Sequence, residues 1–246
     1  MYESEKPPTI YKYMQLSDGH LTIANSTLKF TKPSEFNDPF DCDIGLLEFK
    51  NIGNINQHVY DDYDELKKIY PSLTFDLFLE AYEPAIQDKI NFTRVCCFSA
   101  NENVGNILMW SHYANKHKGV CLQFNNNFEK KFINLDDEEE LSEGKVNYHF
   151  EGKLNYLAEN TKDGNTWTFV NKAKEWQYEQ EYRFMIIKKP EIQRFNPLFL
   201  ESIYFGVNVT KEERAGFIDL CRKNNYTHVK FYSGIKNSLS IKFIEI

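Results

Sequence analysis

Several short stretches of the chain alternate hydrophobic and polar residues with a period of two, the spacing of a β-strand with one buried face. Residues 178–187, YEQEYRFMII, give the longest such strand, and the apolar residues 94–99 and 119–124 predict two more. We expect these three strands to share one sheet, because each has an apolar face that must be covered. Residues 21–31, LTIANSTLKFT, alternate around a polar Asn-Ser pair and predict a short hairpin.

Other stretches place apolar side chains three and four residues apart, which is the spacing of a helix packed on a core. Residues 56–91 predict two helices, and residues 107–117 predict another whose buried stripe includes Trp110 and Tyr113. Later in the chain, a Thr and a Glu three residues apart in VTKEE form the capping-box pattern that starts a helix. Strands and helices are therefore interspersed along the chain.

No repeat, low-complexity tract or linker divides the 246 residues, so the sequence predicts a single α+β domain over residues 1–246. Its sheet is expected to be mixed or antiparallel, with helical insertions. The net charge of −7 disfavours nucleic acid and anionic lipid surfaces as partners. An odd number of cysteines, five, and the lack of an apolar run of about 18 residues predict a cytoplasmic protein outside the membrane.

The strand at residues 178–187 also carries the most informative charges. Alternation puts Glu179, Glu181 and Arg183 on one face and leaves the other face apolar. Two carboxylates held close together tend to raise the pKa of one of them, which is how an acid or base is made near neutral pH. The alternative is a ladder of ion pairs on an edge strand, which stabilises a sheet only slightly.

Two further segments offer candidate ligands. His112 lies on the helix at residues 107–117, where it could line a pocket, and Asn37 lies in the turn FNDPFDCD, where Asn and Asp side chains make rigid turns. In an alternative interpretation, Asp41 and Asp43 of this turn join Glu151 and Lys153 in the metal site of a nuclease. No histidine or cysteine spacing fits a structural zinc site, so no metal is expected.

Four segments together resemble the signatures of a widespread bacterial family classified as a domain of unknown function. They are FNDPFD at residues 36–41, CFS at residues 97–99, MWSHYANKHKGVC at residues 109–121 and WQYEQEYR at residues 176–183. This resemblance implies a fold family and assigns no activity.

A weaker resemblance is to the ADP-ribosyltransferase fold, in which three strands line a cleft for NAD. Lys12 or Tyr13 takes the place of the first-strand residue, Ser99 that of the serine motif, and Glu179-x-Glu181 that of the Glu-x-Glu motif. The resemblance implies that Glu181 stabilises an oxocarbenium-like state, that Ser99 holds it, and that Tyr113 or Trp110 stacks on a ring of the ligand.

The sequence therefore predicts an ADP-ribosyltransferase-like or NAD-cleaving enzyme with a strand-borne carboxylate. NAD is the expected substrate, and Arg183 is expected to help bind it. Two alternatives stay open: the metal-dependent nuclease, and a non-enzymatic ligand-sensing or interaction module of a mobile or defence-related operon, whose protein partner the sequence does not identify.

Overall fold

Strands and helices are interspersed along the chain in the computed structural model, which describes residues 6–50, 53, 55–135, 141–158 and 167–246. The elements are β1 (Thr9–Met14), α1 (Leu16–Asn25), β2 (Thr27–Lys29), β3 (Leu47–Glu48), α2 (Gln57–Ile69), α3 (Phe75–Phe92), β4 (Thr93–Ser99), α4 (Ile107–His112), β5 (Val120–Asn125), β6 (Ser142–Lys145), β7 (Leu154–Asn155), β8 (Glu181–Ile187), β9 (Ile192–Arg194), β10 (Leu200–Phe205), α5 (Lys211–Lys223), β11 (Lys230–Asn237) and β12 (Ser240–Glu245).

An eight-stranded sheet in the order β12-β11-β10-β5-β1-β4-β8-β6 organises the fold. Strands β10 and β11 run parallel, whereas the other neighbours in this sheet are antiparallel. The sheet is therefore mixed, and the predicted α+β class is confirmed. The strands predicted at residues 94–99, 119–124 and 178–187 all lie in it, as β4, β5 and β8, so the predicted shared sheet is confirmed as well.

The two faces of the sheet bury different groups of side chains. On one face, Ile23 of α1 and Phe217 of α5 join a large cluster with apolar residues of the central strands, such as Leu122. On the opposite face, Trp110 of α4 packs on Tyr13 of β1. The central strands are therefore packed on both faces, and a site built on such strands is positioned by the core.

The hairpin predicted at residues 21–31 is wrong. Helix α1 runs to Asn25, Ser26 ends it with a left-handed φ of 52°, and only the short strand β2 follows. Tertiary packing decides the outcome, because Ile23 is fully buried under the sheet beside α5. The predicted Asn-Ser turn exists, but it terminates a helix instead of joining two strands.

The helix predicted at residues 107–117 ends at His112. Asn115, Lys116 and His117 have φ values of 46°, 54° and 67°, and consecutive left-handed residues cannot continue a right-handed helix. The chain then passes so close to β1 that a Cβ on Gly119 would lie 2.1 Å from the Met14 carbonyl oxygen. The sharp turn and the glycine together aim β5 into the sheet beside β1.

The other helix predictions agree with the structure in position. Helices α2 and α3 occupy the region predicted at residues 56–91, although Pro84 lies within α3 and does not end it. The capping box at the start of α5 is confirmed, since Thr210 and Glu213 exchange both of its hydrogen bonds. Across the described residues, every helix is too short or too polar to cross a lipid bilayer.

Strands β1 and β4 meet at one point only. β1 pairs with β5 along its whole length, but with β4 it pairs only through Tyr11 and Ser99. Farther along β4, Thr31 takes the place of β1 and exchanges backbone hydrogen bonds with Val95 at 2.8 and 2.9 Å. The two strands therefore separate, and the sheet opens beside Glu181 of β8.

Candidate functional site

The separation of β1 and β4 leaves an open cavity of about 380 Å³. Its walls come from these two strands, from the end of α4 and from the FNDPFD turn, and Lys172 lies among the carboxylates that close one side. Most of the sequence-predicted site residues line it: Lys12, Tyr13, Asn37, Ser99, His112, Tyr113, Glu179 and Glu181. Residues from distant parts of the chain thus converge where the sheet is open.

Lys172 lies at the centre of a buried carboxylate cluster. Its Nζ is 2.7 Å from Glu179 Oε2, 2.6 Å from Glu181 Oε1 and 3.3 Å from Asp41 Oδ2. The ammonium group thus forms ion pairs with three buried carboxylates at once. Lys172 is therefore a counterion for the carboxylates that the protein itself supplies.

Arg183 supports the same carboxylates from behind and does not itself line the cavity. Its guanidinium binds Asp41 through two parallel hydrogen bonds of 2.8 and 2.6 Å, and its Nε lies 2.8 Å from Glu181 Oε2. Arg183 Nη1 also donates a hydrogen bond to the Phe169 carbonyl oxygen at 2.9 Å. Arg183 is fully buried, so these bonds have little competition from water.

The two glutamates differ in their electrostatic environment. Burial alone would raise the pKa of Glu181, but the charges of Arg183 and Lys172 hold it well below its usual range. Burial, followed by the neighbouring Glu181, raises the pKa of Glu179 to about 7, and Lys172 only partly offsets this. One carboxylate of the pair therefore stays ionised, while the other can exchange a proton near neutral pH.

The backbone before β8 aims Glu179 into the cavity. Strand β8 begins at Glu181 and not at the predicted residue 178, because Gln180 turns the chain with a left-handed φ of 44°. Ser99 Oγ donates to the Glu179 carbonyl oxygen at 2.6 Å, and the Tyr113 hydroxyl donates to Glu179 Oε1. Glu179 thus comes from a turn, yet its carboxylate lies with that of Glu181.

Of two other predicted ligand residues, Trp110 lies outside the cavity and His112 lies at its rim. Trp110 is fully buried outside this cavity and donates its indole N–H to the Val104 carbonyl oxygen at 2.7 Å. Tyr13 also donates to this oxygen, at 2.9 Å, so both rings fix the wall behind the cavity. His112 is exposed at the rim, with its ring 6.1 Å from that of Tyr178.

The residues proposed for a nuclease have separate environments. Both Asp41 oxygens bind Arg183, and Asp43 accepts a hydrogen bond from the Gly45 amide at 2.6 Å. Glu151 and Lys153 are exposed. Within the described part of the chain, no three His, Cys, Asp or Glu residues are placed to hold a metal ion.

Sequence reasoning missed three members of the site. Lys172 and Asp41 complete the charge cluster, and the Tyr148 hydroxyl accepts a hydrogen bond of 2.9 Å from the Glu181 amide. The sequence indicates Asp41 only as a turn residue or a metal ligand. A signal did exist, because an arginine on the buried face of a strand requires a carboxylate partner and the nearby acidic turn could supply it.

The raised pKa of Glu179 has a consequence for stability. A carboxyl group whose pKa rises from 4.5 to about 7 on folding stabilises the fold fully below pH 4.5, and this contribution is lost as the pH rises through 7. In the E179Q variant no carboxyl group titrates at this position, so this pH-dependent loss of stability should be absent. From pH 5 to pH 8, its free energy of unfolding should therefore rise relative to wild type by about 2–3 kcal/mol.

Urea unfolding of both proteins at several pH values measures this difference. E175Q, which changes an exposed glutamate of the same turn, is the matched control and should follow the wild type. Parallel curves for wild type and E179Q would show that Glu179 titrates at an ordinary pKa.

Residues 109–184 match the model of a family described as a protein of unknown function (DUF2971). The MWSHYANKHKGVC and WQYEQEYR segments lie inside the matched residues, so the resemblance to an uncharacterised domain family is confirmed. The match lends no support to the resemblance to ADP-ribosyltransferases. No curated protein and no solved structure matches the chain.

Proposed function

We propose that the protein is an enzyme that cleaves the N-glycosidic bond of a small nucleotide, with NAD as the first candidate substrate and Glu179 as the general base. The observation that carries the proposal is a carboxyl group with a pKa of about 7 on the wall of an open cavity. Buried groups of this kind cluster at catalytic sites, because a proton acceptor works best when its pKa is near the working pH.

The lining of the cavity supports a nucleotide. Phe36 and Tyr113 offer aromatic faces for a ring, and Lys12 offers a cation for a phosphate group. Lys12 Nζ donates a hydrogen bond to the Cys97 carbonyl oxygen at 2.8 Å and also interacts with the Cys96 thiol. An ammonium group has three donors, so Lys12 can still donate to an anionic ligand.

The chemistry assigns different roles to the two glutamates. Attack of water on C1′ breaks the bond between C1′ and the nicotinamide nitrogen, whose electron pair leaves with the ring and neutralises its positive charge. The leaving group needs no proton, so the acid–base group must take one from the attacking water, and Glu179 does this. Glu181 keeps Lys172 and Arg183 in place, since both of its oxygens bind these cations.

The pKa of Glu179 determines how turnover should change with pH. The ionised form of Glu179 is active, so turnover should rise as the pH passes through about 7. E179Q keeps the size of the side chain and can still accept a hydrogen bond from Tyr113, but it cannot take a proton. We expect its rate of nicotinamide release to fall on the order of 10²-fold or more.

Release of nicotinamide from NAD by wild type, E179Q and the control E175Q tests the assignment. The control should retain the wild-type rate, because Glu175 is exposed and does not line the cavity. Equal rates for wild type and E179Q would remove Glu179 from the chemistry. Glu181→Gln is a poorer test, since it disturbs two buried cations and with them the fold.

A second candidate function is a ligand-binding module without turnover. The hydrogen bonds inside the cluster favour this alternative, because the carboxylate oxygens of Asp41 and Glu181 already accept hydrogen bonds from Arg183 and Lys172. Under this alternative, NAD or a related nucleotide would bind and raise the melting temperature, and wild type would release no nicotinamide.

A further inference from the structure

The cavity continues into a second chamber of about 770 Å³. The two spaces share the side chains of Lys12, Lys29, Thr31 and His112 as a common boundary, together with the two tyrosines Tyr13 and Tyr113. Helix α1 and strands β2 and β9 provide the far side of the second chamber. A ligand in the first chamber can thus extend past these boundary residues without leaving the surface of the protein.

The boundary is the cationic part of the groove. Lys12 makes no ion pair with a carboxylate within the described residues, and its Nζ lies 5.3 Å from the centre of the Phe98 ring. Lys29 pairs with Glu35 at 3.4 Å, but these side chains are 53% and 42% exposed, so the pair is weak and can be exchanged for another anion. Two ammonium groups at a junction suit a group with several negatively charged oxygens.

The two chambers differ chemically on either side of this junction. The first ends at the carboxylates Glu179 and Glu181. The second includes the exposed apolar side chains of Leu21 and Ile192, together with Asp18 as its only carboxylate within the described lining. Anionic oxygens fit the middle of the groove, a cationic ring such as nicotinamide fits the carboxylate end, and an uncharged ring fits the apolar end.

We propose that the groove binds a dinucleotide-class ligand, with the linking phosphates at Lys12 and Lys29, the reactive half beside Glu179 and the second half beside Leu21. This inference rests on the proposed function, because it takes Glu179 as the reacting end. It adds a second subsite and a preference for two-part nucleotides over mononucleotides.

Titration calorimetry on the E179Q protein, in which turnover is expected to be slowed on the order of 10²-fold or more, tests the second subsite. The probes are NAD and nicotinamide mononucleotide, which share the reactive half. NAD should bind at least tenfold more tightly. Replacing Leu21 by tryptophan, at a side chain that is 62% exposed, should reduce the ratio of the two affinities at least tenfold by filling the second chamber.

Leu77→Trp is the matched control, because Leu77 is also an exposed helical leucine and lines neither chamber. It should leave the ratio unchanged. Ile192→Trp repeats the test from the opposite wall if the first variant does not fold. Lys12→Met should weaken both probes and flatten their salt dependence, as expected for a lost phosphate contact.

The outcomes separate the two proposals. Equal affinities of NAD and the mononucleotide, or a ratio that neither tryptophan changes, would overturn the second subsite and leave nicotinamide release by wild type intact. Failure of both probes to bind, together with no release by wild type, would overturn the second subsite and the proposed function at once.

Discussion

Replacement of Arg183 by leucine is expected to lower the free energy of unfolding by about 3–5 kcal/mol, because it leaves buried carboxylates without their main counterion. The Arg183 side chain is fully buried, and those of Asp41 and Glu181 are only 2% and 6% exposed. Without the guanidinium, Lys172 alone would face three carboxylates. The cost comes from desolvated charges that have lost their partner, more than from the loss of hydrogen bonds.

Urea unfolding of the purified variant measures this loss, and Arg222→Leu is the matched control. Arg222 pairs with Asp219 at 3.3 Å, but both side chains are more than 60% exposed. Removing such a pair costs about 1 kcal/mol or less. Similar losses for the two variants would mean that water reaches the buried cluster.

A double variant tests the same interaction if Arg183→Leu alone does not fold. Changing Asp41 to leucine together with Arg183 removes one buried charge of each sign, so the double variant should be more stable than Arg183→Leu alone. A double variant that is as unstable as the sum of its single changes would show that the two side chains do not interact.

The sequence could predict the faces of β8 because a strand has a fixed period of two. Tyr182, Phe184 and Ile186 all lie in the main core cluster, whereas Glu181 and Arg183 point to the other face, as the alternation requires. Local rules also located the capping box of α5. These features depend on neighbours within a few residues, so the sequence contains all the information that determines them.

The partners of Arg183 could not be predicted in the same way. Asp41 lies 142 positions away along the chain, and only the path of the chain around β4 and β8 brings the two together. Nor does any periodicity identify Lys172, which comes from an irregular segment before the short helical turn at Lys174–Glu179. The cavity itself depends on Thr31 displacing β1 from β4, which no local pattern indicates.

The error at α1 has the same physical origin. Residues 21–31 alternate as a hairpin would, but a helix at this place buries Ile23 against the sheet and lies against α5. Long-range burial outweighs local propensity differences, which amount to less than about 1 kcal/mol per residue. The site depends on this outcome, because α1 and β2 form a wall of the second chamber.

Replacement of Trp110 by alanine is expected to cost about 3–5 kcal/mol of unfolding free energy. The indole is fully buried and donates a hydrogen bond to the Val104 carbonyl oxygen. It packs edge-on against Tyr13, with the two ring centroids 5.3 Å apart. Alanine would leave a cavity and an acceptor with one donor fewer.

Two companion variants separate these causes in the same urea unfolding experiment. Trp110→Phe keeps most of the volume and loses the N–H donor, so it should cost clearly less than alanine. Leu239→Ala, at a side chain that is 90% exposed, should change the stability by less than about 0.5 kcal/mol. A Trp110→Ala protein as stable as the wild type would mean that α4 packs loosely on β1. The same helix carries Tyr113 just beyond its end, so loose packing there would also release the hydrogen bond to Glu179.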